Sequence, residues 1–184
     1  MPMQELFPGH VYQLIEPGPV VLLTTSDDGR PNIMTMSWHM MVEFTPPRIA
    51  CVVSPSDFSF AALRRTRECV IAIPDVSLAP KVVGIGNSTG REVDKFTRFA
   101  LTPAPARKVR PPLVAECFAN LECRVIDTRL VNAHALFVLE VEQAWLSDEI
   151  WPDPATPPPR TIHHAGYGRF LVDGETIVLE SRMP

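Results

Sequence analysis

The residues with most chemical character lie in Asn32-Ile33-Met34-Thr35-Met36-Ser37-Trp38, which leaves the turn Ser26-Asp27-Asp28-Gly29-Arg30-Pro31 and runs into an apolar segment ending at Phe44-Thr45-Pro46-Pro47. Hydroxyls, an amide and an indole on one strand suit a flat heteroaromatic ligand with polar edges: backbone and Ser/Thr groups bond the edges while Met and Trp cover the faces. The same composition suits a half-buried strand of a barrel core. Two downstream segments favour the ligand. Ser54, Ser56 and Ser59 stand at the start of an expected helix, Asp57 to Arg65, whose free amides offer a seat for a phosphate. Asp57 works against this, since its carboxylate can cap the helix and repels an anion. The loop Ser88-Thr89-Gly90-Arg91-Glu92-Val93-Asp94-Lys95-Phe96 adds a flexible glycine, two cations and an aromatic ring able to clamp a ligand. Asp94 as the cap of a following helix explains the same loop structurally.

Other chemistry is poorly supported. Gly84-Ile85-Gly86-Asn87-Ser88-Thr89-Gly90 is glycine-rich but does not read G-x-G-x-x-G, follows no clear strand and lacks the Lys-Ser/Thr of a phosphate loop. His163-His164, His10, His39 and His134 have no acidic residue or cysteine at metal-ligand spacing, so no metal is expected. No nucleophile elbow, paired carboxylates or reactive cysteine stands out, and no catalytic side chain is assigned. Cys51, Cys69, Cys117 and Cys123 sit in apolar or strand-like runs and read as small buried hydrophobes in a reducing compartment.

The elements that must position these residues are mostly strands. Pro19 to Thr25 and the Ile33 to Phe44 segment form an expected hairpin, followed by strands at Arg48 to Ser54 and Glu68 to Ile73. Short helices are expected after Ser56, over Val76 to Ile85 and over Asp94 to Ala100. A proline-rich loop, Pro103 to Pro112, precedes a strand in which Leu121, Cys123 and Val125 alternate with Asn120, Glu122 and Arg124, so the second face should be wet. Ala135 to Leu146 reads as a long strand, 151–159 as a surface loop, and Phe170 to Leu179 as a hairpin around Asp173-Gly174. Many strands with few helices point to a β-barrel.

At 184 residues, 46% hydrophobic and 21% charged, the chain reads as one globular domain, 1–184. A net charge of −4 with only Arg64-Arg65-x-Arg67 clustered gives no footprint for nucleic acid. No apolar run approaches the ~20 residues of a membrane span, and the N-terminal Met-Pro-Met-Gln-Glu has no leader character, so a cytoplasmic protein is expected.

The order of Asn32-x-Met34-Thr35-x-Ser37-Trp38, Pro46-Pro47-x-Ile49, Ser88-x-Gly90-x-x-x-Asp94-Lys95-Phe96 and Phe137-Val138-Leu139-Glu140-Val141 resembles the flavin reductase-like proteins, in particular their flavoredoxin-like branch. The resemblance implies a mainly β FMN-binding split barrel, a six-stranded Greek-key barrel with a few short helices, that forms a homodimer with FMN near the interface. By the same resemblance Thr35, Met36, Ser37 and Trp38 line the isoalloxazine ring, with Asn32 alongside. Ser54, Ser56 and Ser59 hold the phosphate and ribityl chain; Ser88, Gly90 and Lys95 close over the site; His164 and Tyr167 approach from the C-terminal segment. Relatives that use NADH resemble one another in a Gly-Asp-His element where this chain has Asn132-Ala133-His134, so His134 is the implied nicotinamide contact. The implied activity is an NAD(P)H-dependent flavin reductase using FMN, with NADH or NADPH as donor and a monooxygenase or redox protein as acceptor. The altered element motivates a second reading, a flavoredoxin-like electron carrier or flavin-binding module reduced by a protein partner. A barrel for another small ligand, or a dimeric scaffold, is the third.

Overall fold

Two residues decide the architecture. In the structure, a computed structural model describing residues 3–7, 18–147, 159–165 and 168–176, strand β1 (Met3–Leu6) precedes β2 (Val21–Asp27). The expected hairpin forms: β2 turns through Asp28 and Gly29, at φ 50° and 76°, into β3 (Arg30–Met36). Two consecutive positive φ angles match the right-handed twist of paired strands, which Asp-Gly permits. The expected Ile33 to Phe44 strand then breaks at Ser37-Trp38, and β4 (His39–Glu43) pairs with β5 (Arg48–Val52) instead of continuing beside β2.

Next come α1 (Phe58–Thr66), β6 (Glu68–Ile73), α2 (Ala79–Gly86), α3 (Lys95–Arg98), the short pair β7 (Pro103–Ala104) and β8 (Leu113–Val114), and β9 (Ala119–Asp127). α4 (Val131–His134) leads into β10 (Leu136–Ser147), and β11 (Ile162–His164) pairs with β12 (Phe170–Val172). The antiparallel path runs β3-β2-β6-β9-β10-β5-β4, with β1 also on β10. β3 and β4 are thus consecutive in the chain yet lie at opposite ends of the path. Laid flat, seven strands span about 29 Å between their outer members, whereas the link from Met36 to His39 reaches at most about 11 Å. The sheet must curl until its ends meet, a barrel split between β3 and β4. The division of one expected strand into β3 and β4 is what makes the path seven strands long.

Two apolar clusters follow from this closure. Val21, Leu23, Ile71, Leu121, Phe137 and Leu139 fill the barrel. On the outer side of β2, β3 and β6, Leu22, Ile33 and Ala72 meet Val82, Ile85 and Phe96 of the helices. A strand buried on both faces needs a continuous apolar run rather than alternation, as Val20 to Leu23 supplies.

One expectation is corrected in part. The second face of β9 is covered at two of its three expected positions: Asn120 and Glu122 are fully buried where the 103–112 loop folds over them, while Arg124 is exposed as expected. Asn120 bonds the amide and carbonyl of Val114, and the Glu122 carboxylate accepts from Arg107 N, Lys108 N, Val109 N and Trp145 Nε1. Charged type alone suggested solvent; a proline-rich loop with unpaired amides needed an acceptor. Phe170–Val172 pairs with Ile162–His164, and Asp173 anchors Thr161 and His163; the second half of the hairpin expected around Asp173-Gly174 lies outside the described residues. Residues 151–158 and 177–184 lie outside the described residues. Among those described, no helix is long and apolar enough to cross a membrane.

Candidate functional site

Because β3 is a free barrel edge, elements on both of its faces reach the same place. The start of α1 comes from one side and the end of α2 with the following turn from the other, leaving a cavity of about 130 Å3. Asn32, Met34 and Thr35 form its floor, Ser56, Asp57, Phe58 and Ser59 one wall, Ile85, Gly86, Ser88 and Thr89 the other, and Lys95 its end.

Lys95 is the key group. Asp94 caps α3, its carboxylate accepting from the Phe96 and Thr97 amides, and this turns Lys95 inward until it is 5% exposed. Its Nζ donates to Ile85 O at 3.0 Å. An ammonium carries three donors, and the other two have no partner among the described residues. Burial pushes the Lys95 ammonium below its ordinary value, with the Asp57 charge opposing. A buried cation with open donors at the end of a cavity is a seat for an anion.

The α1 end adds donors of the same kind. Asp57 does not cap the helix: its Oδ2 accepts from Ser54 N at 3.0 Å. The amides of Phe58 and Ser59 therefore have no acceptor among the described residues, which leaves the helix N-terminus open to an anion. Ser59 Oγ accepts from Asn32 Nδ2 at 2.8 Å, so its own hydrogen is available. Ser56 is exposed and shares a 2.7 Å hydrogen bond with Ser54. Thr35 Oγ1 and Ser88 Oγ donate to carbonyls of α2, at 2.6 Å to Val82 and 3.0 Å to Gly84, and hold β3 and the 88–90 turn against that helix.

Gly90 closes the wall beside Asn32. It is buried, its carbonyl accepts from Arg30 Nη2 at 2.8 Å, and an added Cβ would lie 2.2 Å from Asn32 Oδ1 and 2.6 Å from Phe58 Cδ1. Gly90→Ala must therefore displace Asn32 or Phe58. We expect it to weaken anion binding at the cavity at least tenfold, about 1.4 kcal/mol, while the far-ultraviolet circular dichroism stays native. Unchanged affinity would show that the turn is not part of the cradle.

The structure thus brings together Asn32, Thr35, Ser56, Ser59, Ser88, Gly90 and Lys95, with Ser54 at the rim. It does not bring in the others. Met36 is 3% exposed and turns into the barrel core, as alternation along β3 dictates, so its side chain lies away from the cavity. Ser37 and Trp38 lie past the end of β3, where the chain passes to β4, and Trp38 is 70% exposed. His134 is exposed on α4; His164 is exposed on β11 and tilted against Phe170. Tyr167 lies outside the described residues. Sequence reasoning missed Met34, Phe58, Gly86 and Thr89; the signal for Phe58 was its place in the first turn of a helix whose start was already suspect. It also missed His39, whose imidazole burial pushes below its ordinary pKa. His39 donates Nε2–H to Pro19 O at 2.7 Å and keeps a buried Nδ1 without a partner among the described residues.

The donor set fits the phosphate of FMN: one buried cation, two open amides and two serine hydroxyls around one small cavity. At about 130 Å3 the cavity holds a phosphate and falls below the roughly 300–1,000 Å3 of a whole-ligand pocket. The rest of such a ligand has to lie outside it.

Comparisons with known proteins give the same fold and place the chain in a family. Residues 15–164 match the flavin reductase like domain. An uncharacterised Escherichia coli protein, YddH, is 33% identical over 183 residues, covering 91% of this chain and 93% of its own. Among solved structures, an FMN-binding domain of a flavin reductases-like enzyme from Shewanella baltica superposes with a TM-score of 0.90 at 22% identity, over 97% of this chain and 98% of that one. A flavoredoxin of Desulfovibrio vulgaris gives 0.79 at 24% identity, over 88% and 90%. At such identities the two structures speak to the fold, which is the split barrel deduced above. With most of its length matched by the domain and by a relative sharing a third of its residues, this chain belongs to the flavin reductase-like family.

Proposed function

We propose that the protein binds FMN and acts as an NAD(P)H-dependent flavin reductase that supplies electrons to a monooxygenase or other redox protein. The observation that carries the reading is the buried Lys95 ammonium with two open donors, facing the open amides of α1 across a phosphate-sized cavity. FMN, when bound, supplies the electron-transfer chemistry itself. The chain's share is binding and placement: Lys95, Ser56, Ser59 and the Phe58 and Ser59 amides neutralise the phosphate, Asn32 orients Ser59, and Thr35 keeps β3 and α2 together beside it. Ser37, Trp38 and His164 are assigned to the ring end, and His134 to the nicotinamide. The four thiols, all free and buried, fit a reducing compartment such as the cytoplasm.

The flavoredoxin-like alternative, a carrier reduced by a partner protein, rests on Asn132-Ala133 standing where NADH-using relatives have Gly-Asp. Anaerobic titration of the FMN-loaded protein with NADH and NADPH separates the two. Stoichiometric loss of the flavin's visible absorbance supports the reductase; a spectrum unmoved by either nucleotide supports the carrier.

We also propose that the working unit is a homodimer. Trp38, Met40, Val42 and Phe44 alternate on and beside β4, a barrel edge strand, and are 70, 62, 50 and 57% exposed. A row of large apolar side chains on a free edge is costly in water and suits burial against a second copy. Sedimentation of the native protein is expected to give a dimer, and the Met40→Glu, Val42→Lys double variant a monomer. A native monomer would count against this assembly.

A further inference from the structure

The chain crosses from one end of the sheet path to the other through Ser37 and Trp38, and one imidazole fastens that crossing. Met36 pairs with Val21 of β2, and His39, the first residue of β4, donates Nε2–H to Pro19 O at 2.7 Å, so both ends of the link are tied to residues 19–21. Trp38 O accepts from Val52 N at 3.0 Å. We infer that His39 is a positioning residue: its neutral imidazole clasps the barrel split and fixes Ser37 and Trp38 at the ring end of FMN, and protonation in mild acid opens the clasp and weakens flavin binding. This rests on the assignment of Ser37 and Trp38 to the ring end.

The geometry of the imidazole carries it. His39 stands opposite Cys51 of β5, and directly paired residues of an antiparallel ladder share a face, so the ring lies on the barrel side of β4 and reaches across the split. A carbonyl only accepts, so the bond to Pro19 fixes the tautomer with hydrogen on Nε2 and a lone pair on Nδ1. That Nδ1 is buried and has no partner among the described residues. Protonation places an N–H there with no acceptor, and a buried charge without a partner is costly. The ring then has to turn toward water, and the Pro19 bond goes with it. Burial accordingly pushes the imidazole below its ordinary pKa, with the Pro19 carbonyl opposing. Neighbouring titratable groups do not offset this. Burial pushes the Cys51 thiol well up, so it stays neutral. At the far end of the β4–β5 pair, Arg48 is paired with Glu140, and Glu43 accepts from Phe44 N. On the hairpin whose Ile162 O accepts from Val20 N, His163 pairs with Asp173 at 2.8 Å and His164 is exposed.

Dissociation constants for FMN, measured by flavin fluorescence between pH 5 and pH 8 on the native protein, His39→Gln and His39→Leu, test the clasp. The amide of glutamine carries an N–H at the reach of Nε2 and does not titrate; leucine has no donor. The phosphate of FMN itself titrates near pH 6, about the second pKa of a phosphate monoester, so the native protein is compared with His39→Gln at each pH. We expect the two to agree within about twofold at pH 8. At pH 5 the native protein should be about 3–30-fold the weaker, the upper figure being that of an imidazole with the unshifted pKa of about 6.5. His39→Leu is expected to bind about tenfold more weakly at every pH, with native far-ultraviolet circular dichroism. A native-to-variant ratio for His39→Gln that stays flat with pH, or a folded His39→Leu that binds as the native protein does, overturns the clasp. If His39→Leu does not fold, the comparison with His39→Gln still decides. Failure of the native protein to bind FMN at pH 8 overturns the flavin reading itself.

Discussion

Lys95→Met is expected to weaken FMN binding about 10–100-fold and to leave riboflavin binding unchanged. The reason lies in the fold: Asp94 caps α3, the cap turns Lys95 inward, and one of its three donors is spent on Ile85 O. The remaining donors of this buried ammonium meet a phosphate, and each hydrogen bond to a charged group contributes about 1.5–3 kcal/mol. At about 1.4 kcal/mol per tenfold, losing one such interaction gives the stated range. Riboflavin lacks the phosphate and does not register the change. Stability moves the other way. Burial pushes the Lys95 pKa down, so holding the side chain charged at neutral pH costs the ligand-free fold stability, a penalty that disappears as pH rises past the unfolded lysine value. Methionine removes that cost, and the ligand-free variant should melt no lower than the native protein. Equal losses of FMN and riboflavin affinity, or a marked fall in melting temperature, would make Lys95 a structural residue.

The largest stability effect is expected at Glu122, away from the cavity. Glu122→Gln keeps the shape but places an amide nitrogen where three backbone amides and the Trp145 indole now donate to a carboxylate. With Glu122 fully buried, water cannot replace the lost acceptor. Disrupting a buried, multiply bonded charge costs about 3–5 kcal/mol, which for a chain of this size lowers Tm by roughly 6–20 °C. Glu140→Gln is the control: Glu140 pairs with Arg48 at 3.1 Å but the pair is partly exposed, and such pairs contribute at most about 1 kcal/mol. Thermal melts of the two variants should differ severalfold in shift. Similar shifts would mean that the 103–112 loop does not depend on its carboxylate anchor.

What could be read in advance, and what could not, follows from the range of each interaction. The Asp28-Gly29 turn and the Asp94 cap are local chemistry, and both formed where the residues suggested. The serines near α1 and the 88–95 loop were legible as separate anion-friendly segments, and the closed barrel puts them against one edge strand. The break at Ser37-Trp38 was not legible. Nothing in that apolar run marks where the chain must leave one end of the sheet for the other, because barrel closure is a property of all seven strands together. That break is why Trp38 parts company with Thr35, whereas Met36 does so by the alternation of β3. Asp57 was misjudged for a related reason: a cap candidate is visible in sequence, but its choice of Ser54 N over the helix amides depends on how the chain enters α1. The burial of Glu122 depended on a loop 14 or so residues earlier in the chain.

The central claim is that a flavin phosphate sits between Lys95 and the first turn of α1. A crystal structure of the protein grown with FMN tests it most directly. The account predicts phosphate density within hydrogen-bond distance of Lys95 Nζ and of the Phe58 and Ser59 amides, with the ring outside the cavity. Density for the flavin with its phosphate elsewhere, and Lys95 still bonded only to Ile85 O, would contradict it.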